Sequence, residues 1–574
     1  MTGYFFNGRL WISPAAMSRV DDTAMANRNL ALGQVVAIIG QSAGGQPNTP
    51  LRFGRPQEAI DTLVSGELLD AVLAAFDPSS ETNGPGEVVA IRVNPAVQSG
   101  LTLVDNGATD SIILAATDYG LRTNQIKVKV ESGTNQGKKI TTQLGSAYYS
   151  KDDIGRAAFT VRYSGGQASA QMTVTNTTVT LQAPNGNTVA SIDLATYSTV
   201  QALVDRINAT SGFSATVASG QSAAPALNGL DSVANQDVKS ADYTARADLQ
   251  ACVDWFNSAA EGFVNATRHT NGVAPPANIS FTYLTGGSDG TTTNTEWTNA
   301  FTVLQTEEVY WVVPVSSSAT IHAMADSHAA FMSTQGRKER RAICGTAAGT
   351  ADTAAIAAAL ALNSDRTSLV HLGYYDYDRV TGALTLFPPY LLAAKLAGMF
   401  AGVDPGEPLT AKAVKVRGLE RKLRNPTDTD PLIVGGVLAV EDTPRGFRIV
   451  KSISTWLNDS KYNRVEVSTG VATDYTVRSV RERLEEEVLG SKGNPIALSR
   501  AVSATETVLR ELARPAPIGP GILAGDSTTP AYRNITAELN GDVLSVAFEC
   551  SPVIPVNYIP VSVSVVPYRG TASV

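Results

Sequence analysis

The sequence is short of the residues from which most active sites are built: its 574 residues include only three cysteines and four histidines. Cys252, Cys344 and Cys550 stand too far apart for a CxxC metal site or a disulfide framework, and read as small buried hydrophobes in a reducing compartment. His322 and His328 are not spaced to share a helix face as HExxH ligands do, and His371, ending an apolar strand, reads as a packed core residue. Charge is scarce too. Asp, Glu, Lys and Arg make up 17% of the chain and the net charge is −8. No Lys/Arg-rich stripe stands out, which argues against a nucleic-acid partner. No run approaches the roughly 18–20 apolar residues of a membrane helix. The nearest, 390–402, is broken by Lys395 and is expected to be a buried helix; neither a secretory leader nor membrane insertion is expected.

Glycine, by contrast, is plentiful, and three glycine-bearing loops imitate ligand sites. Residues 40–46 follow a strand with the glycine spacing of a phosphate loop, yet Gln46 and Pro47 stand where a lysine and a hydroxyl should meet phosphate and magnesium. Residues 345–349 lie between a strand and a helix, where α/β proteins bind ligands, but lack the GxGxxG spacing and an acidic ribose partner. Residues 286–290 offer only a glycine-rich turn. No GxSxG elbow occurs, and Asp376 and Asp378 read as solvated turn residues beside a tyrosine-rich loop. The expectation is no catalytic residue, no cofactor and no metal.

The length suits three or four domains. Apolar strands at 35–39 and 88–93 enclose helical stretches at 56–64 and 66–76, which is a βαβ unit. From about 101 to 218 the chain turns to Thr, Ser, Asn and Gly with period-2 runs such as Ile126-Lys127-Val128-Lys129-Val130, which indicates β structure. A single helix interrupts it, with Val200, Leu203, Val204 and Ile207 on one face and Ser198 or Thr199 as N-cap. The α/β pattern then resumes, with strands at 309–314, 341–345 and 368–372 and helices at 319–332 and 352–362. The last part holds expected strands at 432–440 and 448–454 and helices at 475–489 and 497–512. A hairpin follows, 535–539 with 543–548, turned at Asn540-Gly541. The expected fold class is therefore α/β plus β and multi-domain. It comprises an N-terminal arm (1–32), a discontinuous α/β domain (33–95 and 240–424), an inserted, mostly β, sandwich-like domain (96–239), a C-terminal α+β domain (425–550) and a C-terminal arm (551–574).

The two ends are the most telling parts. Val561, Val563 and Val565 alternate with Ser562 and Ser564 between Pro560 and Pro567. That is a strand of about 20 Å with no obvious partner in its own domain. The opening residues Phe5, Phe6, Leu10, Trp11 and Ile12 form a second sticky segment. Such edges invite pairing with another chain, although either tail could also fold back onto its own body. The helix at 475–489 is dense in charge: Arg478, Arg481, Glu482 and Glu485 read either as a solvated face with i,i+4 pairs or as a surface for a charged partner.

Several stretches, in order along nearly the whole chain, resemble the contractile phage tail sheath proteins. They are PNTP (47–50), GELLDAVLAAFDPS (66–79), AIRVNP (90–95), LTGGSDG (284–290), GFRIVKSISTWLNDSKYNRV (446–465) and SPVIPVNYIPVSVSVV (551–566). The resemblance implies a subunit of stacked hexameric rings around a tail tube, placed in the virion tail and assembled in the bacterial cytoplasm. Implied partners are other copies of the chain, the tail tube protein, and baseplate and tail terminator proteins. It further implies that Leu10, Trp11 and Ile12 at one end, and Val561, Val563 and Val565 at the other, add strands to sheets of neighbouring subunits. Arg478, Arg481, Glu482 and Glu485 become candidates for a tube-facing contact. The family's α/β domain is similar in topology to subtilisin-like proteases, but no Asp/His/Ser motif of that kind is present, so hydrolysis does not follow. The sheath of a bacterial contractile injection particle, an α/β enzyme with a β insertion, and a static shell, tube or adhesin subunit are the alternatives.

Overall fold

The computed structural model describes residues 4–6, 9–11, 34–568 and 570. Its centre is a six-stranded sheet ordered Thr367–Val370, Arg341–Gly345, Trp311–Pro314, Val35–Gly40, Glu87–Arg92, Pro50–Phe53. The first five strands run parallel and the last is an antiparallel edge. Strand Val35–Gly40 is buried at every position, as both faces are covered. On one face Val36 and Ile38 pack with helices Pro56–Leu63, Glu67–Phe76 and Pro389–Ala401. On the other, Val35, Ala37 and Ile39 pack with helices Asn294–Leu304, Ala319–Thr334 and Asp352–Leu362. Helix Pro389–Ala401 is buried along nearly its whole length, as its unbroken apolar run requires. Lys395 is tolerated there because its Nζ donates to the Asp77 carbonyl at 3.1 Å, and burial pushes its pKa down. Asn294–Leu304 starts with a reciprocal capping box between Thr293 and Glu296.

The β insertion is larger than residues 96–239 and is nested. An outer module at 156–247 has two sheets, Phe213–Val217 with Ala157–Tyr163 and Tyr243–Arg246, and Thr188–Asp193 with Thr178–Gln182, Gln171–Val174 and Val233–Asp237. Helix Val200–Asn208, capped by Thr199 as the sequence implies, closes their core. This module interrupts another built from both flanks. Val264–Arg268 pairs with Asp110–Ala116, and Ile279–Tyr283 pairs with Lys127–Ser132. Leu249, Cys252 and Trp255 share a core with Ile112, Val128 and Ile140. The boundary expected at 239 therefore falls inside the insertion, and the α/β pattern returns only past residue 288. Thr/Ser-rich composition marks β structure but says nothing about which distant strands pair.

Near the C-terminus, the expected strand at 432–440 is instead helix Thr429–Val434, then the Gly435-Gly436 turn and strand Val440–Thr443. Leu432, Leu438, Val440 and Ile449 pack into the two cores beside the central sheet, so residues 425–449 belong to the α/β body. The long helix begins at Val467, not 475, and runs to Glu487. Val467 and Val471 sit in the α/β core, whereas Ala472 and Val480 join helix Pro495–Leu512 in a separate small core. Against that core lies the hairpin Tyr532–Asn540 with Val543–Cys550. Its loop residues are Gly541 and Asp542, one later than expected, with Gly541 at φ +65°, a backbone conformation costly for other residues.

Candidate assembly surfaces

The glycine loops are occupied by the chain itself. In the 40–46 loop the Gly45 amide donates to Asp118 at 2.9 Å and the Gly44 amide to the Leu63 carbonyl at 3.0 Å, so the donors a phosphate would need are taken. Strand order reverses between Val35–Gly40 and Trp311–Pro314, where open α/β sheets bind ligands. Here a Cβ on Gly40 would meet Val315 Cβ at 2.9 Å, and the Val315 amide closes onto the Ile39 carbonyl at 2.8 Å. The 345–349 loop is closed in the same way: the Glu420 carboxylate accepts from the amides of Gly349 and Gly373, and Tyr390 packs onto Gly345. Among the described residues no group of three or more His, Cys, Asp or Glu is arranged to hold a metal ion, and no helix is long and apolar enough to cross a membrane.

His322 bonds the Ser316 carbonyl at 2.8 Å and His371 bonds Asp352 at 2.9 Å; burial lowers the pKa of both. Burial pushes the Cys252 thiol up to about 12 and the Cys344 thiol higher still, so both are inert.

What the structure offers instead is surfaces. At the C-terminus the chain is tied to its body as far as Asn557. The Val553 amide donates to the Ile522 carbonyl at 2.9 Å, Thr469 donates to the Val553 carbonyl at 3.1 Å, and Asn557 donates to Glu466 at 2.8 Å. Lys451, 3.1 Å from Glu466, neutralises that buried carboxylate. Beyond this anchor residues 559–568 are exposed, have no strand partner in the described chain, and carry Val561, Val563 and Val565 at 77%, 78% and 88% exposure. A residue run that is both β-branched and apolar is costly to leave in water. The neighbouring hairpin is a two-stranded sheet, so among the described residues each strand has one edge without a partner. Its inward-facing Ile535, Phe548 and Cys550 cover the small C-terminal core while its outer residues face solvent.

At the other end, Leu10 and Trp11 lie in strand Arg9–Trp11, which pairs antiparallel with Tyr4–Phe6 in a two-stranded sheet of its own. Ile12 lies outside the described residues.

The charged helix is partly committed to its own body. Arg481 grips Glu339 with bonds of 2.7 and 2.8 Å, and Arg478 reaches Glu308 at 3.0 Å and Glu482 at 2.6 Å. Glu485 meets Arg337 at 3.0 Å. One turn further in, the buried Asp474 accepts from Tyr310, Arg341 and Arg366 at 2.6, 3.0 and 2.7 Å. Burial alone would raise its pKa, but the two guanidiniums outweigh it and hold the carboxyl below its ordinary range. Arg478 and Arg481 thus face the α/β body, whereas Glu482 and Glu485 are more exposed.

Sequence reasoning missed Arg92, which is fully buried. It donates to the carbonyls of Gly45 at 2.9 Å and Tyr119 at 3.2 Å and to Asp289 at 3.1 Å, joining body and insertion where the chain crosses between them. The signal was available: an arginine directly after the apolar run 88–91, at the end of strand Glu87–Arg92.

The chain is similar to several proteins named as tail sheath proteins. It is 29% identical to the tail sheath protein of Bacillus phage SP01, over 99% of this chain and 98% of that one. The chain is similar to phage tail sheath proteins along nearly its whole length. The tail sheath protein of Staphylococcus phage Twort is 23% identical over 83% of this chain and 86% of its own. No protein-family model matches the chain. Among solved structures, the sheath tail protein of Listeria innocua superposes with a TM-score of 0.54 at 14% identity, covering 91% of this chain and 92% of that one. That of Desulfitobacterium hafniense gives 0.52 at 12%, covering 94% and 100%. Those two establish a shared fold; the resemblance to tail sheath proteins rests on the sequence similarity along the full length.

Proposed function

We propose that the chain is the structural subunit of a contractile tail sheath. In this reading copies assemble as stacked six-membered rings around a tail tube, in the tail of a virion built in the bacterial cytoplasm, between baseplate and terminator. Contraction drives the tube through the host envelope during genome delivery. The observation that carries the reading is the exposed segment 559–568, without a strand partner among the described residues, together with a hairpin whose two edges are open among them.

Residues 561–566 of one copy add to one edge of a neighbour's hairpin, and the segment around Leu10, Trp11 and Ile12 of another copy adds to the opposite edge. A ladder of roughly four to six backbone hydrogen bonds, each worth about 0.5–1.5 kcal/mol net, holds each link while bodies shift around it. Glu482 and Glu485 make the tube-facing contact; their exposed pairs with Arg478 and Arg337 exchange partners at little cost. The free energy of contraction comes from contacts between bodies that are stronger in the shortened lattice, so no nucleotide is required. The α/β body shares the topology of subtilisin-like proteases without their chemistry. Negative-stain microscopy of the overexpressed full chain tests the reading: striated hollow cylinders are expected, and a strictly monomeric protein at every concentration overturns it. A static shell would give one lattice, never two of different diameter.

A further inference from the structure

Helix Asp352–Leu362 has a composition at odds with its position. Residues 354–362 read AAIAAALAL, nine apolar residues in succession, a pattern proper to a helix buried all round. Only Ala355 and Ala359 are fully buried; Ala354, Ala357, Leu360 and Ala361 face solvent. The bare face does not stop at the helix. Gly435 abuts Ile356, Gly436 abuts Leu457, and the Leu457 amide bonds Asn363 at 2.8 Å, so Val434 and Leu457 continue the patch. Leu360 is 58% and Val434 77% exposed, which leaves contiguous apolar surface of the kind that marks an interface.

A second bare patch sits on the opposite side of the molecule. Strands Tyr374–Tyr377 and Leu384–Phe387 form a projecting hairpin in which Tyr377 lies directly across from Leu384, with Val380 at the tip. These three are 59%, 57% and 76% exposed. The hairpin roots in the core containing Val36 and Ile38, through Tyr374 and Phe387, and Arg379 reaches back to the Val64 carbonyl at 3.3 Å. The bare helix belongs to the core containing Val35, Ala37 and Ile39. Successive residues of one strand point to opposite faces, so the two patches lie on opposite faces of the central sheet.

We propose that the face formed by Ala357, Leu360 and Val434 receives the Tyr377–Val380–Leu384 hairpin tip of a second copy of this chain. Two unlike, complementary patches on opposite sides of one body make a head-to-tail contact, which generates rings or helices instead of closed pairs. The alanines let a bulky tip approach the helix closely. Charge agrees: the tip carries the exposed Arg379, while the receiving side offers Asp430, one turn before Val434 and without an ion-pair partner among the described residues; Arg417, beside the hairpin, is taken up by Asp376 at 3.9 Å. The tip's own Asp378 is used by its turn, accepting from the amides of Val380 and Thr381 at 3.1 and 2.7 Å.

This inference rests on the self-assembly reading, and the test separates the two. Ala357→Cys and Val380→Cys are combined in the full chain with Cys550→Ser; Cys252 and Cys344 are fully buried. Assembled material treated with a short bis-maleimide is expected to give a ladder of linked chains on denaturing electrophoresis, and neither single-cysteine variant a ladder. Cylinders without a ladder overturn this contact and leave the sheath reading standing; no assembly of the native chain at any concentration overturns both. Independently, Leu360→Glu with Val434→Glu, both at exposed positions, is expected to raise the concentration needed for assembly about tenfold or more with the monomer's melting temperature unchanged. Unchanged assembly of that variant overturns the contact as well.

Discussion

Among single residues, His328 is the clearest case of a function-like side chain with a structural role. It lies against Phe301, with ring centroids 5.4 Å apart, and its Nε2 accepts from Arg340 at 2.6 Å. Burial first, and the Arg340 charge second, push its pKa down to about 3. In the unfolded chain it titrates near 6.5. Between those values the unfolded state binds more protons, so this stabilisation is complete above about pH 6.5 and is lost progressively as pH falls towards 3. The expected slope is up to about 1.4 kcal/mol per pH unit in that window. Melting temperatures from pH 7 to 4.5 should fall more steeply for the native chain than for His328→Gln, and parallel curves would count against it. Asp474 behaves as a carboxylate with a lowered pKa: its contribution is present above about pH 4 and lost as pH falls through its lower folded value. Asp474→Asn leaves Arg341 and Arg366 facing a neutral group in a buried site and should cost about 3–5 kcal/mol, read as a large drop in melting temperature.

Within the elements, the sequence was most legible where pattern and burial agree. The central strands are continuous apolar runs because both sheet faces are covered, and helix Pro389–Ala401 announces itself in the same way. It was least legible where tertiary packing overrides local preference. Leu432, Ile433 and Val434 look like a strand yet lie in a short helix, which the Gly435-Gly436 turn ends. The buried start of Val467–Glu487 was hidden by its polar residues. Thr473 and Thr476 satisfy their hydroxyls on the carbonyls of Thr469 and Ala472, at 2.9 and 2.8 Å, and so enter the interior unannounced. The C-terminal arm was legible as an alternating apolar segment, and the structure leaves 559–568 exposed, but its anchor at Asn557 was not legible, because a single Asn–Glu bond leaves no periodicity. That anchor separates two truncations. A chain ending at Tyr558 keeps the Val553 and Asn557 contacts, so it should melt within a few degrees of the native protein and form no cylinders. One ending at Ser551 loses the Val553 contact to Ile522 and should also melt lower. Cylinders from the Tyr558 form would remove the role assigned to the arm.

For the whole molecule, the nested insertions make rigidity the central problem. Each inserted module has to be tied back where the chain leaves and returns. Arg92 and Asn94 do this at the innermost crossing. Asn94 bonds the Ser42 carbonyl at 3.2 Å, and Arg92 holds Asp289, beside the chain's return. Arg92→Met retains the stem but deserts two carbonyls and a carboxylate, and should cost about 3 kcal/mol. It should open a protease-sensitive site near residues 95–100 or 286–290; full resistance there would show that the junction is held elsewhere. The nesting itself was out of reach of the sequence, since strands such as Lys127–Ser132 and Ile279–Tyr283 pair across about 150 residues with nothing local to mark it. In the proposed assembly residues 561–566 find their strand partner in another copy. Hydrogen exchange at the amides of 561–566 addresses that directly: rapid exchange in the monomer and strong protection in the assembled form are predicted, whereas equal exchange in both states would contradict it.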